Sequence, residues 1–93
     1  MNNLKGKSVL ISGGARGIGA AAAKCMAEGG GAILIGDILE DRGQETAKAI
    51  QDAGGTASFV PLDVTSEVSW SAAIAAATNA HGKLDILVNN AGI

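Results

Sequence analysis

Four short apolar runs divide the chain: "KSVLIS" (Lys7 to Ser12), "AILIGD" (Ala32 to Asp37), "TASFVPLD" (Thr56 to Asp63) and "LDILVNN" (Leu84 to Asn90). None alternates apolar with polar positions. A strand buried on both faces has no solvent side to make polar, so these runs read as strands of a parallel sheet covered by helices. The segments between them carry helical spacing. Ile18, Ala21, Ala22, Cys25 and Met26 fall at i, i+3, i+4, i+7 and i+8, one stripe of a first helix that Gly29 to Gly31 stops. Thr46, Ala47, Ile50 and Ala53 form a weaker face on a second helix, from about Asp41 to Ala53, closed by Gly54 and Gly55. A third, alanine-rich helix runs from about Ser66 to Ala80, with Thr65 or Ser66 as N-cap and Gly82 as its stop. The order βαβαβαβ predicts an α/β layered domain.

Length narrows this to one domain. A chain of 93 residues buries only about 60–65% of the surface it exposes when unfolded, so the core is thin. Phe59 and Trp70 are the sole aromatic residues, which leaves core volume to Ile, Leu, Val and Ala. Seven basic and nine acidic residues give a net charge of −2 without a basic run, a balance that argues against nucleic acid or an anionic membrane as partner. One cysteine and one histidine exclude an internal disulfide and a Cys/His zinc cluster, so no metal site is expected. "MNNLKGKS" lacks the apolar run of a signal peptide, and no stretch reaches the ~20 apolar residues of a membrane span. A cytoplasmic setting is the expectation.

The chemistry concentrates in "VLISGGARGIG" (Val9 to Gly19), where Gly13, Gly14, Gly17 and Gly19 follow directly on the first strand. Side-chain-free positions at a strand-to-helix turn let an anion reach unpaired backbone N–H groups and the positive end of the helix dipole. Read as Gly13-x-x-x-Gly17-x-Gly19, the first glycine allows the tight exit from the strand, the second the approach of a diphosphate, and the third close helix packing. The same spacing also suits a turn that packs well and binds nothing. Asp37 favours the ligand. It ends the second strand, and its carboxylate suits both hydroxyls of an adenosine ribose while repelling a 2′-phosphate. NAD is therefore expected in preference to NADP. Arg16 has two readings: against the pyrophosphate or adenine, or toward a 2′-phosphate if Asp37 turns away, with Arg42 also within reach.

These residues resemble the short-chain dehydrogenase/reductase family. "SGGARGIG" (Ser12 to Gly19) is similar to its T-G-x-x-x-G-I-G loop with Ser for Thr, and Asp37, "LDVT" (Leu62 to Thr65) and "NNAG" (Asn89 to Gly92) follow in order. The resemblance covers essentially all 93 residues. It implies a Rossmann-type doubly wound parallel sheet, here four strands in the order 3-2-1-4, with a ligand crevice between strands 1 and 4. It also implies roles. Asp63 contacts the adenine amino group and Val64 acts through its backbone; Asn90 and Gly92 line the ribose side; Ile18 supplies a backbone N–H to the phosphate or nicotinamide side. Asp63 has the alternative of a helix-start carboxylate, and Asn89 reads as a bridge between strand ends. "EGGGA" (Glu28 to Ala32) departs from the family's single Gly-Ala, and Gly31 is expected to loosen that turn without touching the ligand site.

The activity implied is hydride exchange between a nicotinamide and a secondary alcohol or ketone, with a Tyr of Y-x-x-x-K as general acid/base, helped by Ser and a further Asn. This chain contains no tyrosine. No catalytic residue is assigned, and residues 1–93 are expected to be the N-terminal, cofactor-binding portion of a single domain. The alternative is an inactive nucleotide-binding or assembly module. With the fourth strand at an edge and apolar on both faces, edge pairing or a homo-oligomer is expected. Elsewhere plainer roles apply. Cys25 reads as a small core residue, His81 as a partner of the helix C-terminus, Trp70 and Ile74 as a packed pair, Asp85 as a local hydrogen-bond acceptor, and Lys24 and Lys48 as solvated.

Overall fold

The computed structural model describes residues 3–90. Four strands, β1 (Ser8–Ser12), β2 (Ala32–Asp37), β3 (Thr56–Pro61) and β4 (Ile86–Asn89), form one parallel sheet in the order β3-β2-β1-β4. Three helices connect them: α1 (Gly17–Glu28), α2 (Glu40–Asp52) and α3 (Glu67–His81). Ser12 stands beside Gly36 of β2 on one side and Asn89 of β4 on the other, and Asp37 pairs with Pro61 of β3. That register gathers the carboxyl ends of all four strands, the edge at which open α/β sheets present their ligand crevice.

Alternate residues of the strands feed two separate cores. Val9, Ile11, Ile33 and Ile35 pack with Ala23, Ala27, Ala47 and Ile50 of α1 and α2. Leu10, Leu34 and Leu62 pack with Ala73 and Ala77 of α3. β-branched side chains thus face one helix layer and leucines the other, which is why the strand sequences are apolar throughout.

The first helix differs from the predicted stripe. Its buried residues are Gly19, Ala23 and Ala27, while Ile18 is 78% exposed and Cys25 is exposed. Ala23 and Ala27 let α1 sit close to the sheet and Gly19 lets it sit close to the turn before it, so the bulkier Ile18 and Cys25 turn outward, and Cys25 is not a core residue. Ala53 is likewise exposed, and Ile74 is 40% exposed while Trp70 is half-buried with its indole N–H on the Val64 carbonyl at 2.9 Å. The predicted Trp70–Ile74 pair therefore contributes little core. Ser66 caps α3 by accepting from the Ser69 N–H at 3.1 Å. Asp85 accepts from the Ser8 N–H at 2.8 Å, and this bond, with Lys83 nearby, holds its carboxyl below the usual range. Asn89 bridges strand ends, accepting from Ser12 Oγ at 3.0 Å. Gly31 is buried against Leu4 and Ile33, away from the crevice.

Two buried polar atoms lack a partner among the described residues: Ser8 Oγ and His81 Nε2. His81 ends α3 as expected, yet this ring nitrogen has no hydrogen-bond partner among the described residues. A hydroxyl enclosed without a hydrogen bond destabilises by its lost hydration. Ser8 is 1% exposed, and Ser8→Ala keeps its backbone bond to Asp85. Ser8→Ala is expected to raise stability by about 1 kcal/mol, read as a Tm increase of about 4–8 °C. A lower Tm would show that the hydroxyl is satisfied in solution.

Candidate functional site

The turn after β1 is built by glycines that side chains would obstruct. The chain leaves β1 with Gly13 at φ +68°, hooking its N–H onto the Gly36 carbonyl at 2.8 Å, and enters α1 at Gly17 with φ +61°. A Cβ at Gly17 would meet nothing within 4 Å, so this position opens onto free space. Gly19 lies beneath the turn: a Cβ there would overlap the Gly13 carbonyl oxygen and stand 2.8 Å from Asn90 Nδ2. Its packing partner is the turn itself, not the sheet.

Asn90 reinforces the same corner. Its Nδ2 donates to the Gly13 carbonyl at 3.2 Å, and its N–H donates to Ser12 Oγ at 3.1 Å. The end of β4 is thereby stitched to the end of β1. Arg16 is the N-cap residue of α1, but no side chain caps the helix and no acidic residue occupies its first turn. The first-turn N–H groups, which include those of Gly17 and Ile18, are left without an intrahelical acceptor. α3 is the contrast, with a serine cap and Glu67 in its first turn.

Beside this helix end stands Asp37, whose Oδ2 accepts from the Ala15 N–H at 3.2 Å and Oδ1 from the Leu39 N–H at 3.0 Å. Both oxygens are oriented by backbone, and each keeps a lone pair for a further donor. On the far wall, Asp63 Oδ1 accepts from Thr65 Oγ1 at 2.6 Å and the Thr65 N–H at 2.9 Å. The Thr65 hydroxyl first, then its backbone N–H, hold the Asp63 carboxyl below the usual carboxylate range. Asp63 is therefore a turn carboxylate before α3, not its cap, and it stays ionised through the neutral range.

One cavity of about 530 Å³ collects these groups: Gly13, Arg16, Gly17, Asp37, Asp63, Val64 and Asn90 all line it. That volume lies in the range of roughly 300–1,000 Å³ of small-molecule sites. Ile38, Leu39, Leu62 and Thr65 complete the wall. Sequence reasoning assigned none of these four to the site; the signal for Thr65 was its place two residues after Asp63, a spacing that favours an Asx turn. Ile18 and Gly19 do not line the cavity, Gly92 lies outside the described residues, and Arg42 is exposed on α2 away from the wall. A second cavity of the same volume between α1 and α2 is lined by Lys24, Glu28 and mostly alanine and glycine, without a helix N-terminus or an oriented carboxylate. Among the described residues no group of three His, Cys, Asp or Glu is placed to hold a metal, and no helix is long and apolar enough to cross a membrane.

The residues present fit a dinucleotide. An uncapped helix end faces the open side of Gly17, and a backbone-oriented carboxylate stands on the same cavity. Known proteins similar to this chain include dehydrogenases. A 2,5-dichloro-2,5-cyclohexadiene-1,4-diol dehydrogenase of Sphingobium indicum is 51% identical over 92 residues, covering 99% of this chain and 37% of its own length. A 3-alpha-(or 20-beta)-hydroxysteroid dehydrogenase of Mycobacterium tuberculosis is 47% identical over 90 residues, 97% of this chain and 34% of its own. The crystal structure of a short chain dehydrogenase from Mycobacterium smegmatis superposes with a TM-score of 0.94 at 39% identity, over 100% of this chain and 40% of that one. The chain thus spans little more than a third of the length of these curated relatives. The family profile described as short chain dehydrogenase matches residues 7–93, and with the sheet order and the glycine turn this places the chain in the short chain dehydrogenase family.

Proposed function

We propose that this chain is the cofactor-holding part of an NAD-dependent dehydrogenase/reductase that interconverts a secondary alcohol and a ketone. The observation that carries the reading is the pairing, on one cavity, of an uncapped α1 N-terminus with the Asp37 carboxylate. In this reading the first-turn N–H groups of α1, that of Ile18 included, hold the diphosphate, with Gly13 and Gly17 leaving it room. Asp37 accepts from the adenosine ribose hydroxyls and disfavours a 2′-phosphate by charge. Arg16 lies against the pyrophosphate. Asp63 and Val64 receive the adenine, and Asn90 and Gly92 border the ribose on the nicotinamide side.

When bound, the nicotinamide supplies hydride exchange at its C4. The contribution of these residues is to bind and orient: Asn90 fixes the turn through the Gly13 carbonyl, and the amides of Ala15 and Leu39 fix Asp37. No residue of the 93 is assigned to proton transfer at the substrate oxygen, and the sequence contains no tyrosine. The domain reading follows: residues 1–93 form the N-terminal portion of one dinucleotide-binding domain. Calorimetric titration with NADH, NADPH and ADP-ribose tests it. ADP-ribose is expected to bind about as tightly as NADH, with NADPH weaker, whereas tighter binding of NADPH would contradict the assignment of Asp37.

A second reading, an assembly module acting through β4, is favoured by one observation. β4 pairs with β1 alone among the described strands, and Leu87 on it is 49% exposed. Edge pairing of two copies would show as a dimer in sedimentation that Leu87→Lys dissolves.

A further inference from the structure

We propose that Thr46, on α2 and outside the cavity wall, is a positioning residue that sets the affinity and ribose selectivity of the site. The inference rests on the dinucleotide reading above and deepens it. Thr46 is buried, and its Oγ1 donates to the Ala15 carbonyl at 2.8 Å, 31 residues earlier in the chain. A β-branched residue inside a 13-residue helix lowers helix propensity, and a threonine hydroxyl in such a place ordinarily bonds the carbonyl four residues back. Here the hydroxyl instead leaves its own helix for the glycine turn.

The two peptide groups that flank the Ala15 Cα are consequently both tied down. The peptide before it gives its N–H to Asp37 Oδ2, and the peptide after it gives its carbonyl to Thr46 Oγ1. Ala15 itself is 2% exposed, and the bond from Thr46 is buried, so no solvent competes for its carbonyl. Because a trans peptide points its C=O and N–H in opposite directions, holding the Ala15 carbonyl on α2 turns the Arg16 N–H away from α2. The Thr46 hydroxyl therefore fixes the peptide that leads into the α1 N-terminus, and through the shared Ala15 Cα it steadies the neighbouring peptide whose N–H meets the Asp37 carboxylate. α2 is seated closely against β3 at Gly43, where a Cβ would overlap the Phe59 ring.

Without the hydroxyl, the buried Ala15 carbonyl loses its partner and the turn relaxes to find another. Asp37 then loses a fixed donor, and its charge is no longer held against the ribose 2′ position. The test is calorimetric titration of the 93-residue chain with ADP-ribose and with ADP-ribose 2′-phosphate, for wild type, Thr46→Val and Thr46→Ser. Valine keeps the shape and burial; serine keeps the donor. Thr46→Val is expected to weaken ADP-ribose binding by about tenfold and the 2′-phosphate form by less, so the preference narrows at least about threefold. Thr46→Ser is expected to stay within about twofold of wild type on both ligands. A purely structural role moves both ligands in parallel, and that result, equal losses in valine and serine variants, or unchanged binding in Thr46→Val overturns the inference. Thr46→Ala, which adds no volume and favours helix, replaces valine if the latter unfolds, under the same criteria. Failure of the wild-type chain to bind either ligand is a separate result: it overturns the dinucleotide reading and this inference with it.

Discussion

Gly19→Ala is expected to lower the stability of the chain by about 3 kcal/mol and to reduce ADP-ribose affinity by at least about tenfold. The added methyl would overlap the Gly13 carbonyl oxygen, stand 2.9 Å from the Gly13 carbonyl carbon and 2.8 Å from Asn90 Nδ2. Two of these three are backbone atoms, which no rotamer change relieves. Either the turn lifts off α1 or α1 backs away from the sheet, and both displace the first-turn N–H groups from Asp37. The neighbouring Ala21 is exposed on the same helix, so Ala21→Ser is the control and is expected to change stability by no more than about 0.5 kcal/mol. Thermal unfolding and calorimetric titration of both variants check this. A Gly19→Ala chain with unaltered Tm and affinity would mean that turn and helix are not in contact.

The second large effect belongs to Asp37→Asn. The substitution keeps the shape but removes the charge and replaces one acceptor oxygen with a donor, which then faces either the Ala15 or the Leu39 N–H. Hydrogen bonds to a charged group are each worth about 1.5–3 kcal/mol, so losing one of the two to the ribose should weaken NADH binding by roughly 10- to 150-fold. NADPH is expected to lose far less, because the repulsion of its 2′-phosphate goes with the charge. Titration of both dinucleotides against wild type and variant reads the difference directly. Parallel losses would mean that Asp37 acts only as a brace for the turn.

The central strands were legible because burial on two faces leaves a run of Val, Ile and Leu with no polar interruption, as in Val9 to Ile11 and Ile33 to Ile35, whereas their order was legible only through the family resemblance of the motifs at the strand ends. The first helix was misread for a physical reason. Where nearly every position is alanine or glycine, hydrophobic periodicity has little contrast, and the predicted stripe followed the two largest residues, Ile18 and Met26. The sheet selects for small size instead, through Ala23 and Ala27, the glycine turn does so at Gly19, and Ile18 is left exposed. In the site, the glycines and Asp37 were legible as candidates from residue type and place, and Asp63 and Asn90 from the family resemblance; Gly13, Gly17, Asp37, Asp63 and Asn90 line one cavity. What was not readable is the bracing. Thr46 lies far from the turn in sequence, and nothing in "QETAKAI" reveals that its hydroxyl reaches Ala15 rather than its own helix. Leu39, too, stands in the wall with its N–H on Asp37, a contact that its residue type does not announce.

The most direct test of the central claim is amide chemical-shift mapping of the isotope-labelled chain as ADP-ribose is added. The amides of Gly13, Arg16, Gly17, Asp37, Asp63 and Val64 are expected to shift together and saturably, while those of Lys24, Gly54 and Gly55 around the second cavity stay in place. Shifts confined to that second cavity, or none at the glycine turn at saturating ligand, would contradict it.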